Sequence, residues 1–425
     1  MRILVLGSGA REHAIVDALT RSGGEHQVVI APGNHSIAET ATIVGISDIE
    51  DGDAVSSFAL ENAIDLVVVG PEAPLIAGVA DAPRERGIPV FGPSRAAAQL
   101  EGSKAFAKRI MAEAGVPTGR ATRAGTLAEA EHALAEYGAP YVVKADGLAA
   151  GKGVLVTADL EAATAHARHW LGHGPVLIEE FLSGDEVSLF FLSDGHDVLP
   201  LSPAQDYKRL LDGDEGPNTG GMGAYSPLPW LADRFGTEQD FVQRVLDDVA
   251  QPVVRQLEHE GTPFIGLLYC GLIVDGDRIS VIEFNARFGD PETQVVLPRL
   301  ETPLGDLLLA AASGELAGRD WPEFSDDVAV GVVLASEGYP EAPLTGRPIT
   351  GWQQALAVPG TRIDHAATAW SDHHNGLVAT GGRVLTVVAT GGDFTEARER
   401  AYQALSHLRL EGGQFRSDIA AKVTR

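Results

Sequence analysis

The first hundred residues alternate short apolar runs with longer stretches whose apolar positions recur at helical spacing. Runs at 3–6, 28–30, 66–69 and 90–91 each end in glycine or proline, at Gly7, Pro32, Gly70-Pro71 and Gly92-Pro93. Near-continuous apolar runs separated by helical patterns predict parallel strands joined by crossover helices, and so an open α/β sheet. Ligands of such sheets lie beyond the carboxyl ends of the strands, which makes these four turns the expected rim of one site.

Farther along, apolar runs at 141–144 and 154–156 flank a glycine-rich turn at 147–153, the pattern of a hairpin with a mobile tip. A strand is predicted at 176–182, a polar glycine-rich loop at 212–225, a helix at 237–259 and strands at 264–274 and 279–284. From about Ser325 the pattern becomes a compact α/β unit, with strands at 328–334 and 383–388 and a helix at 394–408. No repeat at solenoid spacing occurs.

Composition narrows the function. The 425 residues, 44% of them hydrophobic, suffice for two to four domains. Acidic residues number 59 and basic ones 32, a formal charge of −27 that opposes binding to nucleic acid or anionic lipid. An anionic substrate must then be held by local cations, backbone N–H groups and metal ions. Cys270 is the single cysteine, so the chain has no internal disulfide and fits a reducing, cytoplasmic compartment. No run approaches the roughly 20 apolar residues of a membrane span.

Three motifs carry candidate chemistry. Gly7-Ser8-Gly9-Ala10-Arg11-Glu12-His13 joins a strand to a helix, but Glu12 stands where a dinucleotide fingerprint needs a third glycine, and Ala31-Pro32 ends the second strand where a ribose-binding acid belongs. The turn is either an ordinary strand-to-helix turn or a helix N-terminus that, with Arg11, holds one phosphate. Gly147 to Gly153 has one residue too few for a Walker loop and no following Ser or Thr, which disfavours a P-loop ATPase. Standing alone the loop would more often be a surface hairpin; with Lys144 and Lys104 beside it in a lysine-poor chain, a flexible hairpin over a triphosphate, those lysines neutralising phosphate oxygens, is the alternative. In the run 281–287, strand alternation puts Glu283 and Asn285 on one face with Ile282 and Phe284 behind; an isolated pair of this kind is usually a solvated strand face, but these are also two oxygen donors suited to Mg²⁺. Arg287 follows at once and could grip a carboxylate bidentately.

RFGDPETQ at 287–294 is accompanied by GPEAPL at 70–75, FGPSRAAAQLEGSKAFAK at 91–108, KADGLAAGKGV at 144–154 and GPNTGGMGAYSP at 216–227. In these motifs and their order the chain resembles the phosphoribosylamine–glycine ligases, a family of ATP-grasp enzymes. The resemblance implies an N-terminal Rossmann-like parallel-sheet domain at 1–103, an ATP-grasp domain at 104–325 with a mobile lid at about 121–190, and a small C-terminal α/β domain at 326–425. It implies that glycine, 5-phosphoribosylamine and ATP are converted to glycinamide ribonucleotide, ADP and phosphate through a glycyl phosphate, by a cytoplasmic monomer that binds neither nucleic acid nor membrane. Lys104, Lys144, Gly151, Lys152 and Gly153 would then serve the ATP phosphates. Glu179, Glu180, Phe181 and Leu182 resemble the hinge that reads adenine, and Glu186 the ribose-binding acid. Glu283 and Asn285 match the ligands of Mg²⁺ or Mn²⁺. Arg287, Gly289 and Asp290, with Asp206 opposite, would hold glycine and its acyl phosphate; Gly9, Arg11, Glu12, His13, Asn34 and Glu72 would line the phosphoribosylamine pocket.

The chain departs from the family pattern at Ala10, at Tyr207 where histidine is common, and at Leu267 to Gly271, a strand without the acidic metal ligand many ATP-grasp enzymes carry. Cys270 reads as core, His373-His374 as solvated and Gly381-Gly382 as a turn. The competing readings are another ATP-grasp carboxylate-amine ligase and a nucleotide-sensing protein without turnover.

Overall fold

A computed structural model describes residues 1–21, 26–147 and 153–424. The expected positions Gly151 and Lys152 lie outside the described residues. The strands Arg2–Gly7, Gln27–Pro32, Thr42–Ile43, Leu66–Val69 and Val90–Phe91 form one parallel sheet, with Arg2–Gly7 at its centre. Ile3, Leu4, Val5 and Leu6 are all fully buried, as a strand covered on both faces requires.

The segment 121–179 forms an antiparallel sheet of Ala121–Ala124, Val176–Glu179, Tyr141–Ala145 and Val154–Thr157, backed by the helices Leu127–Tyr137 and Leu160–Leu171. It has a small core of its own, alanine-rich around Leu134, Val143 and Ile178. The strand expected over 176–182 ends at Glu179, opposite Ala121 where its partner strand begins; the Glu180 N–H still donates to the Arg120 carbonyl, and the ladder stops there. Gly184 then redirects the chain at φ +142°, where a Cβ would lie 2.5 Å from the Val274 carbonyl oxygen.

Beside a two-stranded and a three-stranded sheet, two larger antiparallel sheets follow. One orders Val198–Pro200, Asp185–Asp194, Ile265–Asp275 and Arg278–Asn285. The other orders Gln205–Asp206, Gly223–Ser226, Val328–Ala335, Arg383–Gly391 and Thr361–His365, so strands on either side of residue 325 share one sheet. The helix predicted at 237–259 forms as Glu238–Val245 and Gln251–His259 joined through a wider turn at Leu246–Ala250. Pro252 explains that turn: it lacks an N–H and its ring crowds the carbonyl four residues back.

The region expected as a loop at 212–225 contains Glu215–Asn218, paired with Arg209–Leu211, and the strand Gly223–Ser226. Its acidic turn is held from afar. Arg416, 1% exposed, bonds Asp214 Oδ1 at 2.7 Å and Asp418 Oδ2 at 2.6 Å, with its guanidinium over the Tyr207 ring. Cys270 is fully buried, and burial raises its thiol pKa. No described helix is long and apolar enough to cross a membrane.

Candidate active site

The strand Arg278–Asn285 forms one wall of a cavity of about 460 Å³. It pairs with Ile265–Asp275 so that Gly271 faces Glu283 and Tyr269 faces Asn285. A Cβ on Gly271 would sit 2.9 Å from Glu283 Cγ, so glycine there makes room for the carboxylate on the neighbouring strand. Phe284 packs into the core as expected, but Ile282 is half-buried and lines the cavity. The register shift between Gly271 and Leu272 interrupts the strict alternation.

Four lysines surround Glu283 and its neighbours. Lys144 Nζ pairs with Glu179 Oε2 at 2.8 Å and donates to the Ile282 carbonyl at 3.0 Å, and Lys108 reaches the same Glu179 oxygen at 3.4 Å. Lys104 donates to the Gly147 carbonyl at 3.0 Å. Lys208 pairs with Glu186 at 2.9 Å and Glu283 at 3.7 Å. Burial lowers the Lys104 ammonium pKa, with Glu283 opposing. Burial also disfavours the charge of Lys208, yet Glu186, Asp206 and Glu283 outweigh it and hold that pKa well above the ordinary value. The Glu283 carboxyl is pulled below its usual range, because Lys208, Lys144 and Lys104 together outweigh burial. Asp206 is pushed up to about 8, by burial first, then against Lys208 by Glu292, Glu186 and Glu283.

The turn after the strand crosses the cavity floor. Arg287 spans Glu101 at 3.1 Å and Glu72 at 3.4 Å, and the Ala286 N–H donates to the same Glu101 at 2.8 Å. Asp290 accepts from Gln294 Nε2 at 2.7 Å and pairs with Arg383 at 2.9 Å. Arg383 comes from the C-terminal region; it also donates to the Asp290 carbonyl at 2.6 Å and to the Gly220 carbonyl. The Gly220 N–H donates to the Tyr339 hydroxyl at 2.9 Å. Burial would raise the Asp290 pKa, but Arg383 and Arg11 bring it below the usual range.

The N-terminal glycine turn is arranged differently. Glu12 folds back so that its carboxylate accepts the Gly9 N–H at 2.7 Å and pairs with Arg11 Nε at 2.6 Å. A Cβ on Gly70 would lie 2.3 Å from that carboxylate and one on Gly7 would lie 2.5 Å from Glu12 Cγ, so both glycines exist to admit Glu12. Asn34 caps the following turn, accepting from the Ser36 and Ile37 N–H groups and donating to the Ser8 and His365 carbonyls. His13 Nδ1 accepts the His365 N–H at 3.0 Å. The Gly92-Pro93 turn, expected at the rim, packs instead against Gly266 of the central sheet.

Of the residues expected from sequence, Arg11, Glu72, Lys104, Gly153, Glu179, Asp206, Glu283, Asn285, Arg287 and Asp290 all face this one cavity. Lys144 and Glu186 contact its walls through Glu179 and Lys208. Gly9, Glu12, His13 and Asn34 stand behind Arg11 rather than on the lining, and Gly289 lies under Glu292. Glu180, Phe181 and Leu182 form the connection at the cavity's edge, where the Glu180 N–H donates to the Arg120 carbonyl and Phe181 is exposed. Sequence reasoning missed Lys108, Lys208, Glu101, Tyr269, Glu292, Tyr339 and Arg383 as lining residues. Glu101 and Lys108 flank Lys104 within one motif, and Glu292 lies inside another, so a signal existed for those; Arg383 and Tyr339 had none.

A parallel-sheet domain, a small antiparallel sheet and a larger antiparallel sheet enclosing a lysine- and carboxylate-lined cavity define an ATP-grasp enzyme, a class that uses ATP. The family models of phosphoribosylglycinamide synthetase match most of the chain: the N domain at residues 1–101, the ATP-grasp (A) domain at 102–293 and the C domain at 329–422. The chain belongs to this phosphoribosylamine–glycine ligase family. It is 67% identical to the phosphoribosylamine–glycine ligase of Leifsonia xyli subsp. xyli, with 100% of each chain covered, and 56% identical to that of Streptomyces coelicolor, covering 100% of this chain and 99% of the relative. The crystal structure of the Thermotoga maritima phosphoribosylamine–glycine ligase superposes with a TM-score of 0.82 at 34% identity, covering 98% of this chain and 100% of that one. The biotin carboxylase domain of Hydrogenobacter thermophilus 2-oxoglutarate carboxylase shares the fold, with a TM-score of 0.67 at 18% identity over 97% of this chain and 91% of that one.

Proposed function

We propose that this chain ligates glycine to 5-phosphoribosylamine with ATP, giving glycinamide ribonucleotide, ADP and phosphate. The observation that carries the reading is the single cavity into which the central domain brings Lys104, Glu283, Asn285 and Arg287, while Arg11 and Glu72 enter from the N-terminal sheet. Phosphate transfer to a carboxylate needs charge neutralisation and alignment more than an acid or base. Lys104 and Lys144 neutralise the phosphates, and the segment after Glu179 borders the adenine. Arg287 and Asp290 orient glycine so that its carboxylate attacks the γ-phosphate. The glycyl phosphate is then opened by the amine of 5-phosphoribosylamine, held toward Arg11 and Glu72, and phosphate leaves.

Glu283 and Asn285 suit Mg²⁺ or Mn²⁺: both face the cavity from one strand, and both offer hard oxygen donors. A cation held by these two donors would take its other ligands from substrate phosphates and water. Such an ion would supply charge neutralisation at the β- and γ-phosphates. We read the enzyme as a cytoplasmic monomer, as the family resemblance implies.

The test is ADP release from the purified protein with Mg-ATP, glycine and freshly generated phosphoribosylamine, omitting each in turn. Dependence on all three, with glycinamide ribonucleotide formed, is expected. Turnover that ignores phosphoribosylamine would point to a different amine, and silence in every mixture would leave a binding protein.

A further inference from the structure

Around the central cavity most carboxylates have a cation of their own. Glu72 and Glu101 share Arg287, Glu179 has Lys144 and Lys108, Glu186 and Glu283 share Lys208, and Asp290 has Arg383. Glu292 is the exception that is also deeply buried. It is 4% exposed, lines the cavity, and among the described residues has no ammonium or guanidinium within ion-pair distance. Its Oε1 accepts the Tyr269 hydroxyl at 2.9 Å and the Ser188 hydroxyl at 3.3 Å, and those two hydroxyls are 2.7 Å apart. Among the described residues Oε2 has no donor. A Cβ on Gly289 would lie 2.6 Å from that oxygen, so the glycine of the turn keeps the carboxylate in this place. Asp206, also on the lining and also without an ion pair among the described residues, lies near enough that Glu292 helps raise its pKa.

A buried carboxylate fixed by neutral hydroxyls on one oxygen, with its other oxygen free at a cavity, is set to take a cation from outside. Arg287 contributes attraction at longer range, but its close ion pairs are with Glu72 and Glu101, not Glu292. Resting on the ligase reading above, we propose that Glu292, with Asp206 beside it, is the receptor for the α-ammonium group of the amino-acid substrate. Two consequences follow from the chemistry. An acid lacking the amine leaves Glu292 buried and unpaired, so the site rejects simple carboxylic acids of similar size. A carboxylate partner also keeps the bound amine as ammonium, without a lone pair, so it cannot attack a neighbouring acyl phosphate in place of the second substrate.

The experiment compares glycine with glycolate, which replaces the amine by a hydroxyl, in the full-length wild type and in Glu292→Gln. The amide keeps the shape and still accepts from Tyr269. Losing one charged hydrogen bond raises the KM for glycine by about 10- to 100-fold and shrinks the preference for glycine over glycolate by a similar factor, leaving the KM for ATP nearly unchanged. Tyr269→Phe removes one hydroxyl donor but no charge, and shifts the same ratio in the same direction by less; it serves if the first variant does not fold. An unchanged preference for glycine with only kcat reduced overturns the assignment. So does a rise in the Mg²⁺ requirement in place of the glycine KM, which would make Glu292 a metal-side residue. Wild type that releases no ADP with all substrates present sinks the ligase reading itself, a different outcome from a wild type that turns over and a variant with an unaltered glycine KM.

Discussion

The central cavity and the N-terminal glycine turn carry comparable numbers of conspicuous polar residues, yet they use them in opposite ways. At the cavity, Lys104, Lys208, Glu283 and Arg287 hold one another in a balanced field that a charged ligand can enter and rearrange. At the turn, Gly9, Glu12, His13 and Asn34 are already committed to each other and to His365 of a distant strand. Their polar atoms build a rigid joint behind Arg11. A motif residue can therefore serve a site by touching the ligand or by fixing the residue that does, and only the hydrogen-bond partners tell the two apart.

The sharpest test of that contrast is Glu283→Ala. It should lower kcat by about two to three orders of magnitude, the scale of losing one preorganised electrostatic group, with the thermal melt little changed. A variant with near wild-type ADP release would show that the cavity's charge balance does not depend on this carboxylate. Next in size is Arg383→Ala, which releases Asp290 and the Gly220 carbonyl together and should reduce kcat/KM by about tenfold, with Arg383→Lys intermediate because an ammonium cannot reproduce the forked contact.

The turn should instead answer in stability. Burial holds both His13 and His365 down to about 3, so each binds protons more weakly in the folded chain than in the unfolded one. The stability they permit is full above the unfolded value of 6.5 and falls as pH drops toward 3. Asp364, raised to about 7, acts in the opposite sense, gaining stability as pH falls, so a single variant is needed to isolate the histidine contribution. His13→Asn keeps an acceptor for the His365 N–H but does not titrate. Between about pH 7 and about pH 5 the wild type should lose about 2 kcal/mol more than this variant in urea unfolding. Equal slopes would mean that His13 is protonated without strain. The smallest effect is expected from Asn34→Ala, about 1 kcal/mol of stability for a lost helix cap. A rise in the KM for phosphoribosylamine at unchanged melting temperature would return Asn34 to the ligand contacts.

Much of the site was legible because its residues sit in contiguous motifs. Glu283, Asn285, Arg287 and Asp290 fall within eight residues, and strand periodicity alone aims the first two together. Lys104 and Lys144 were readable for a similar reason, each at the edge of a glycine-marked turn. The Ile282 position was misjudged because a bulge breaks the period of two, and a bulge depends on how the neighbouring strand is registered. Arg416, Arg383 and Tyr339 gave no signal, since an arginine or tyrosine in a C-terminal unit looks the same whether it meets solvent or a distant group: Asp214 is 202 residues from Arg416, Asp290 is 93 from Arg383, and the Gly220 N–H is 119 from Tyr339.

By itself, then, the sequence determined the parallel N-terminal sheet, the hairpin strands at 141–144 and 154–156, and the strand that bears Glu283 and Asn285, because periodicity and turn chemistry are local properties of the chain. Tertiary structure alone decided that the C-terminal strands would join Gly223–Ser226 in one sheet and carry Arg383 to Asp290, and that Glu292 would be buried beside Tyr269 without a cation among the described residues. Those outcomes depend on which distant surfaces meet and on the balance of buried charge between them, and neither is encoded in any short window of residues.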